Sequence, residues 1–177
     1  MESQSNTTTP PNITKASTVT LRVIDKDNWR AVAGLTMLEG QEGNVSPNVS
    51  SLCESHYSED AWVRAIYADE TPVGFLMMSI WDPEEWYSIW RFMIDHRYQR
   101  LGFGRTAVKL AIEHIRQNHP QGKIIRLMST GPNGKKDIPG KKDVPAEHSP
   151  YNFYSSLGFK DMTGEEENGQ YEMSLDL

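Results

Sequence analysis

The stretch from Trp90 to His114, WRFMIDHRYQRLGFGRTAVKLAIEH, constrains this chain more than any other. An apolar strand, Ser88 to Ile94, runs through Asp95–Leu101 into a turn where Gly102 and Gly104 bracket Phe103. A helical period then continues through Ala107, Val108, Leu110, Ala111, Ile112 and Ile115. A helix that starts at a glycine turn leaves its first main-chain N–H groups unpaired and aimed outward. With the positive end of the helix dipole, those donors form a seat for phosphate. Glycine suits that seat because a Cβ would hold the anion away from the main chain. The first expectation is therefore a phosphate-bearing ligand at the start of this helix.

Three loop types are candidates. A P-loop requires Lys and then Ser or Thr after its last glycine, whereas Gly104 is followed by Arg105 and Thr106 after too short a run. The dinucleotide pattern G-x-G-x-x-G/A is formally met by Gly102, Gly104 and Ala107. It also needs an acid about 20 positions on, closing the next strand. That strand, Lys123 to Thr130, ends in Met128-Ser129-Thr130 and carries none. The third pattern, Gln/Arg-x-x-Gly-x-Gly/Ala, is met by Gln99, Gly102 and Gly104.

The elements around this stretch follow in order. Met1 to Ser17 is a polar Ser, Thr, Asn and Pro tail with no fold assigned to it. Thr18 to Ile24 alternates as an opening strand, and Asp25 to Asp27 caps a helix over Asn28 to Met37. A polar connection follows, holding Pro47 and a short helix from about Ser50 to Tyr57. It reads either as a solvated surface or as a lid over a binding site. Ala61–Ala68 and Val73–Ile80 are strands joined by a turn at Asp69–Pro72, and Trp81–Glu85 turns again into the central strand. Three such strands make an antiparallel meander, where a dinucleotide-binding half would alternate strand and helix.

Beyond the helix, Lys123–Thr130 should lie parallel beside Ser88–Ile94, since strand, helix and strand make a right-handed crossover. A tandem repeat follows, GKKDIP at 134–139 and GKKDVP at 140–145. It reads as a surface flap, or as Lys135, Lys136, Lys141 and Lys142 held near phosphates. Ser149-Pro150 before YNFYSSLGF marks a helix with a Ser cap, Pro at its first position and Gly158 as its stop. Phe153 and Leu157 should face its core side. Phe159–Met162 and Tyr171–Leu177 close the chain around a Glu167-Asn168-Gly169 turn. Residues 1–17 are thus a tail and residues 18–177 a single domain, with residues 131–148 as a Lys-rich insertion.

The segment RFMIDHRYQRLGFG, with Gln99, Gly102 and Gly104 in place, resembles the central strand and pyrophosphate loop of the GNAT superfamily of acetyl-CoA-dependent N-acetyltransferases. YNFYSSLGF is similar to that family's Y-x-x-x-G-F element, and the order of strands and helices from Thr18 to Leu177 is the family's order. The resemblance implies an α/β (α+β) fold. Its sheet is mixed, mostly antiparallel and twisted, of about seven strands. Helices cover both faces, and the pair formed by Ser88–Ile94 and Lys123–Thr130 is splayed.

It further implies acetyl-CoA as the cofactor, with no metal. Phe92, Met93 and Ile94 would hold the pantetheine arm and the acetyl oxygen. Gln99, Arg100, Leu101, Gly102, Phe103, Gly104, Arg105 and Thr106 would take the pyrophosphate, chiefly through main-chain N–H groups. Tyr154 corresponds to the family's general acid toward the departing thiolate. The family's pantetheine-contacting asparagine precedes that tyrosine by seven residues, where this chain has Glu147. Asn133 takes that role if the Lys-rich repeat is an insertion.

The acceptor amine must be neutral at attack, so a carboxylate base is expected. Glu39, Glu42, Glu84 and Glu85 are candidates, with Glu42 and Glu85 preferred, while Glu39, Glu42 and Trp90 are candidates for holding the amine. EGQEGNVSPNVSSL and the central strands look most like the small-molecule, spermidine/spermine-type members. A peptide, protein or aminoglycoside-like amine is the alternative acceptor, and a non-catalytic acetyl-CoA sensor the alternative class.

The net charge of −6 argues against a nucleic-acid binder, which would present a basic face, and suits cationic small molecules. Cys53 is the single cysteine, so no internal disulfide forms and a thiol-reducing, cytoplasmic setting is expected. No apolar run reaches membrane-spanning length, and the N-terminus has no apolar signal core, so no membrane partner is expected. A homodimer is in keeping with proteins of this kind.

Overall fold

The computed structural model describes residues 12–135, 143–162, 164 and 169–177. Lys136, Lys141, Lys142, Glu167 and Asn168 lie outside the described residues, as does the tail up to Pro11. In order, the elements are β1 (Val19–Arg22), α1 (Trp29–Ala33), α2 (Asn48–His56), β2 (Ala61–Ala68), β3 (Thr71–Trp81) and β4 (Trp86–Ile94). They continue with α3 (Phe103–Asn118), β5 (Ile124–Thr130), α4 (Tyr151–Ser155), β6 (Lys160–Asp161) and β7 (Gln170–Asp176). One seven-stranded sheet runs β1-β2-β3-β4-β5-β7-β6, antiparallel throughout except for the parallel pair β4–β5.

The strand period of two sorts the core onto both faces. Ile66, Ala68, Leu76 and Met78 pack with Ala107, Val108, Ala111 and Ile115 of α3. Their neighbours Ala65, Tyr67, Phe75 and Met77 pack on the opposite face with Val32 and Leu35, backed by Leu52 of α2. Strands β2 and β3 are therefore apolar on consecutive residues because both of their faces are covered.

Several boundaries differ from the sequence expectation, two of them at helix ends near the site. Helix α1 stops at Gly34 instead of reaching Met37, and the chain that follows is claimed by tertiary bonds described below. Helix α4 begins at Tyr151, yet Ser149 still caps it, its hydroxyl accepting from the Tyr151 N–H at 3.2 Å. Its end is a Schellman arrangement: Phe159 N–H donates to Tyr154 C=O and Gly158 N–H to Ser155 C=O. Among the described residues no helix is long and apolar enough to cross a membrane.

Candidate active site

The site begins with a register fault. Strand β4 matches β3 residue for residue from Ile94 to Arg91 and again from Ile89 to Trp86, leaving Trp90 as one extra residue opposite the Met77–Met78 step. Such a bulge bends its strand. On its other side β4 pairs with β5 only at Ser88–Arg126 and Ile89–Leu127, and past Trp90 the two strands part. Residues 92 and 94 turn their main-chain groups toward the opening, since Asp95 N–H, one residue on, donates to Val73 of β3. The carbonyl of Ile94 is met there by the Gln99 side chain at 3.0 Å, which leaves the main chain of Phe92 as the free pair in the fork. Met93 borders the opening, but its main chain faces β3 and its sulfur lies beside Asn48 on the opposite sheet face.

Below the fork lies the glycine turn that leads into α3. Gln99 (φ −66°, ψ 159°) and Arg100 (φ 65°) have the backbone angles of a type II turn, with arginine in the position usually held by glycine. Gly102 follows at φ 90° as the residue before α3, and no side chain caps the helix. Among the described residues the N–H groups of Gly102, Phe103, Gly104 and Arg105 find no acceptor. A Cβ on Gly102 would meet nothing within 4 Å, so its backbone angle, not crowding, calls for glycine. Gly104 lets the helix start approach β4 and α4: a Cβ there would lie 3.4 Å from Phe92 and 3.5 Å from Phe153. Arg105 is committed elsewhere, its guanidinium donating to Ser156 O at 3.1 Å and Ser156 Oγ at 2.8 Å. Leu101 packs on the core, and Thr106 N–H closes the first helical bond to Gly102, so neither borders the cavity.

The fork and the turn open into one cavity of ≈ 640 Å³, bordered also by Phe153 and Tyr154 of α4. Phe92 stacks on Phe153 with ring centroids 5.9 Å apart, and Tyr154 is tilted beside them. Tyr154 is 7% exposed, and its hydroxyl finds no partner among the described residues although it is not sealed from the cavity. Burial pushes its pKa well above that of an ordinary phenol. The hydroxyl thus stays protonated, and passing its proton to a thiolate of ordinary basicity is uphill. The geometry suits it to donate a hydrogen bond to an emerging thiolate rather than to surrender the proton.

Trp90 separates this cavity from a second, of ≈ 1310 Å³, on the far side of the fork. Glu39, Glu42, Trp86, Ser88 and Arg91 border it. Of the acids, Glu42 accepts from Gly40 N–H at 2.7 Å, and Glu172 is taken by Arg126 at 2.8 Å. Glu39, Glu42 and Trp90 are thus brought together. Glu84 and Glu85 are not: both lie in the β3–β4 turn and border neither cavity, Glu85 at its left-handed residue (φ 50°) and within 3.9 Å of Lys123. Nor does Asn133 reach the first cavity, because its side chain accepts from Lys135 N–H at 3.0 Å in a local turn.

Sequence reasoning missed the residues that hold this floor together. Asp95, fully buried, accepts from Thr36 N–H (2.9 Å), Arg97 N–H (3.0 Å) and the Arg97 guanidinium (2.7 and 3.1 Å). Burial would raise its pKa, but the bonds from Arg97 and Thr36 outweigh it and hold the carboxyl below the usual range. His96 N–H donates to Thr36 O at 2.9 Å, and Gln99 donates to Gln41 at 2.8 Å. Asn44 accepts from the Thr130 hydroxyl at 3.2 Å and donates to His148 O at 3.0 Å. The connection after α1 is in this way stapled to the turn before α3 and to the segment before α4. Among the described residues no group of His, Cys, Asp and Glu could hold a metal ion.

The profile of the acetyltransferase (GNAT) family matches residues 29–136. No curated protein matches the chain by sequence. Among solved structures, the ribosomal-protein-S18-alanine N-acetyltransferase from Escherichia coli superposes with a TM-score of 0.60 at 14% identity, over 90% of this chain and 94% of that one. An aminoglycoside 6′-N-acetyltransferase complexed with coenzyme A gives 0.62 at 14%, over 90% and 96%. A mutant of the spermidine N-acetyltransferase SpeG from Vibrio cholerae gives 0.60 at 14%, over 89% and 93%. At such identity these likenesses concern the fold.

Proposed function

The chain belongs to the acetyltransferase (GNAT) family, and we propose that it acetylates a primary amine of a small cationic molecule of the polyamine class, by direct attack with both substrates bound. It is an acetyl-CoA-dependent N-acetyltransferase. The observation that carries the acceptor reading is the pair of cavities meeting at Trp90. One side has unpartnered helix-start N–H groups and the Tyr154 hydroxyl, and the other has Glu39 and Glu42.

Acetyl-CoA, when bound, supplies an acetyl group activated as a thioester. The N–H groups of Gly102 to Arg105 fit a diphosphate, for they have no acceptor among the described residues, are fixed in direction and stand at the positive end of a 16-residue helix. The main chain of Phe92 offers an N–H and a C=O to an extended arm or an acetyl oxygen, in place of the strand that β4 lacks there. As the amine nitrogen bonds to the acetyl carbon and the carbon–sulfur bond breaks, Tyr154 Oη would donate a hydrogen bond to the departing thiolate, which takes up the second proton released by that nitrogen. Glu42, anchored by Gly40 N–H, takes the proton from the acceptor ammonium, while Glu39 and the Trp90 ring attract and orient the cation.

Thiol release from acetyl-CoA should be measured against spermidine, spermine, putrescine, aminoglycosides and short peptides. Turnover confined to the linear amines is the expected result. Turnover confined to peptides or aminoglycosides would overturn the polyamine reading and keep the acetyltransferase. Tight coenzyme binding without turnover of any amine would make this chain a sensor.

A further inference from the structure

Beyond the second cavity, the β3–β4 hairpin ends in an unusual surface. Trp81 and Trp86 are directly opposed across the two strands, and Tyr57 stands at the end of α2 facing them. Together they border a recess of ≈ 570 Å³ with Glu59, Asp60 and Glu84, and no Lys or Arg among the described residues lines it. These rings are held open to solvent, Tyr57 at 86%, Trp86 at 43% and Trp81 at 38% exposed, although each would gain by burial. His56 braces the Tyr57 ring edge-on at 5.0 Å. Asp60 is occupied by the Ser79 hydroxyl, whereas Glu59 and Glu84 have no partner among the described residues. One face of Trp86 already carries the Arg126 guanidinium at 5.4 Å, so Trp81 and Tyr57 offer the free ring faces.

Open aromatic faces beside carboxylates that no Lys or Arg pairs among the described residues suit an organic cation. The recess adjoins the acceptor groove at Trp86, which borders both. Along β4 the residues Trp86, Ser88 and Trp90 all line that groove. At about 3.3 Å per residue, Trp86 lies roughly 13 Å from the fork. We propose that the Tyr57–Trp81–Trp86 recess, with Glu59 and Glu84, is a second cation subsite. It takes the distal ammonium of a linear polyamine whose other end is acetylated at the fork. This rests on the acceptor reading above.

The test compares spermine with propylamine as acceptors for the full chain and for Tyr57→Ala, Trp81→Ala and the double variant Glu59→Gln/Glu84→Gln. In each variant kcat/KM for spermine should fall about 10-fold, mostly through KM, with propylamine and acetyl-CoA values unchanged. Unchanged spermine values in Tyr57→Ala and the double variant would overturn the subsite while leaving the acceptor reading intact. So would an equal fall for propylamine. Calorimetric titration of spermine into the coenzyme A complex separates the two ideas. If no polyamine is turned over, yet spermine binds and Tyr57→Ala abolishes that binding, the acceptor reading fails and the cation site stands. A change of molecular mass in the variants by light scattering would make the recess a subunit contact. Selective loss of Lys-peptide turnover would make it a polypeptide site. Either result overturns the proposal.

Discussion

Replacing Asp95 by Asn keeps the shape of a fully buried side chain and removes its charge. Four donors converge on the carboxylate: Oδ1 accepts from Arg97 N–H and Nε, and Oδ2 from Thr36 N–H and Arg97 Nη2. An asparagine has one acceptor oxygen, so in either amide orientation an NH₂ group faces a main-chain N–H. Leaving one buried donor unpaired costs about 1–3 kcal/mol, and the weakened bonds at the other oxygen cost roughly 1 more. The Arg97 side chain is 55% exposed, so water screens its share and the main-chain donors dominate. The expected loss is about 2–4 kcal/mol, or roughly 4–16 °C in Tm for a chain of this length. Denaturant and thermal unfolding would read it, and coenzyme A affinity should fall as well, because Thr36 and the phosphate turn lose their tie. The pH dependence adds a sign. A carboxyl held below the unfolded value of about 3.9 contributes stability above that pH, and loses it as pH falls through the folded value. Asp95→Asn should therefore flatten the acid limb of the stability curve below about pH 4. A variant within about 0.5 kcal/mol of the parent, with an unchanged acid limb, would refute the reasoning.

Tyr154→Phe should fold normally, since the hydroxyl has no partner among the described residues, and should lower kcat roughly 10- to 100-fold with little change in coenzyme A affinity. Unchanged turnover would remove the hydroxyl from the chemistry. Glu42→Gln should depress kcat at neutral pH while Glu85→Gln leaves steady-state kinetics as they were; the reverse outcome would return the base to the β3–β4 turn. Tyr87, buried and donating to Asp82 at 2.8 Å, has its pKa pushed up to about 12, first by burial and then by that bond. Folding favours its protonated form, so the stability it contributes is present below about pH 10 and lost as pH rises toward 12. Tyr87→Phe should lack that alkaline decline in a urea-midpoint series.

What could be read from the residues was whatever local chemistry dictates. The glycine turn before α3, the Ser149 and Gly158 ends of α4, and the consecutive apolar residues of doubly covered strands all state their structure over a few positions. The parallel β4–β5 pair followed from handedness alone. The bulge at Trp90 was hidden, because it is a mismatch between two strands and belongs to neither sequence. Asn44 and Gln41 were hidden for the same reason, since their partners His148, Thr130 and Gln99 lie far away in the chain. Asn133 was eligible only if the Lys-rich repeat is an insertion, and Glu85 by its place at the end of the central strands, but a local turn claims one and a left-handed corner carries the other away. Helix α1 ends early because the residues beyond Gly34 bond to Asp95 and His96, which no periodicity reports.

The parting of β4 from β5 also divides the molecule mechanically. Within the sheet, strands β5, β7 and β6 are fastened to the other four by two residue pairs at a narrow waist, with the crossover of α3 and the Asn44–Thr130 bond bridging them outside it. An extended amide-bearing chain laid against Phe92 would act as mortar between the halves. Amide hydrogen exchange in β5 and β7 should then slow on coenzyme A binding, far from any phosphate, while β1 and β2 keep the rates they had.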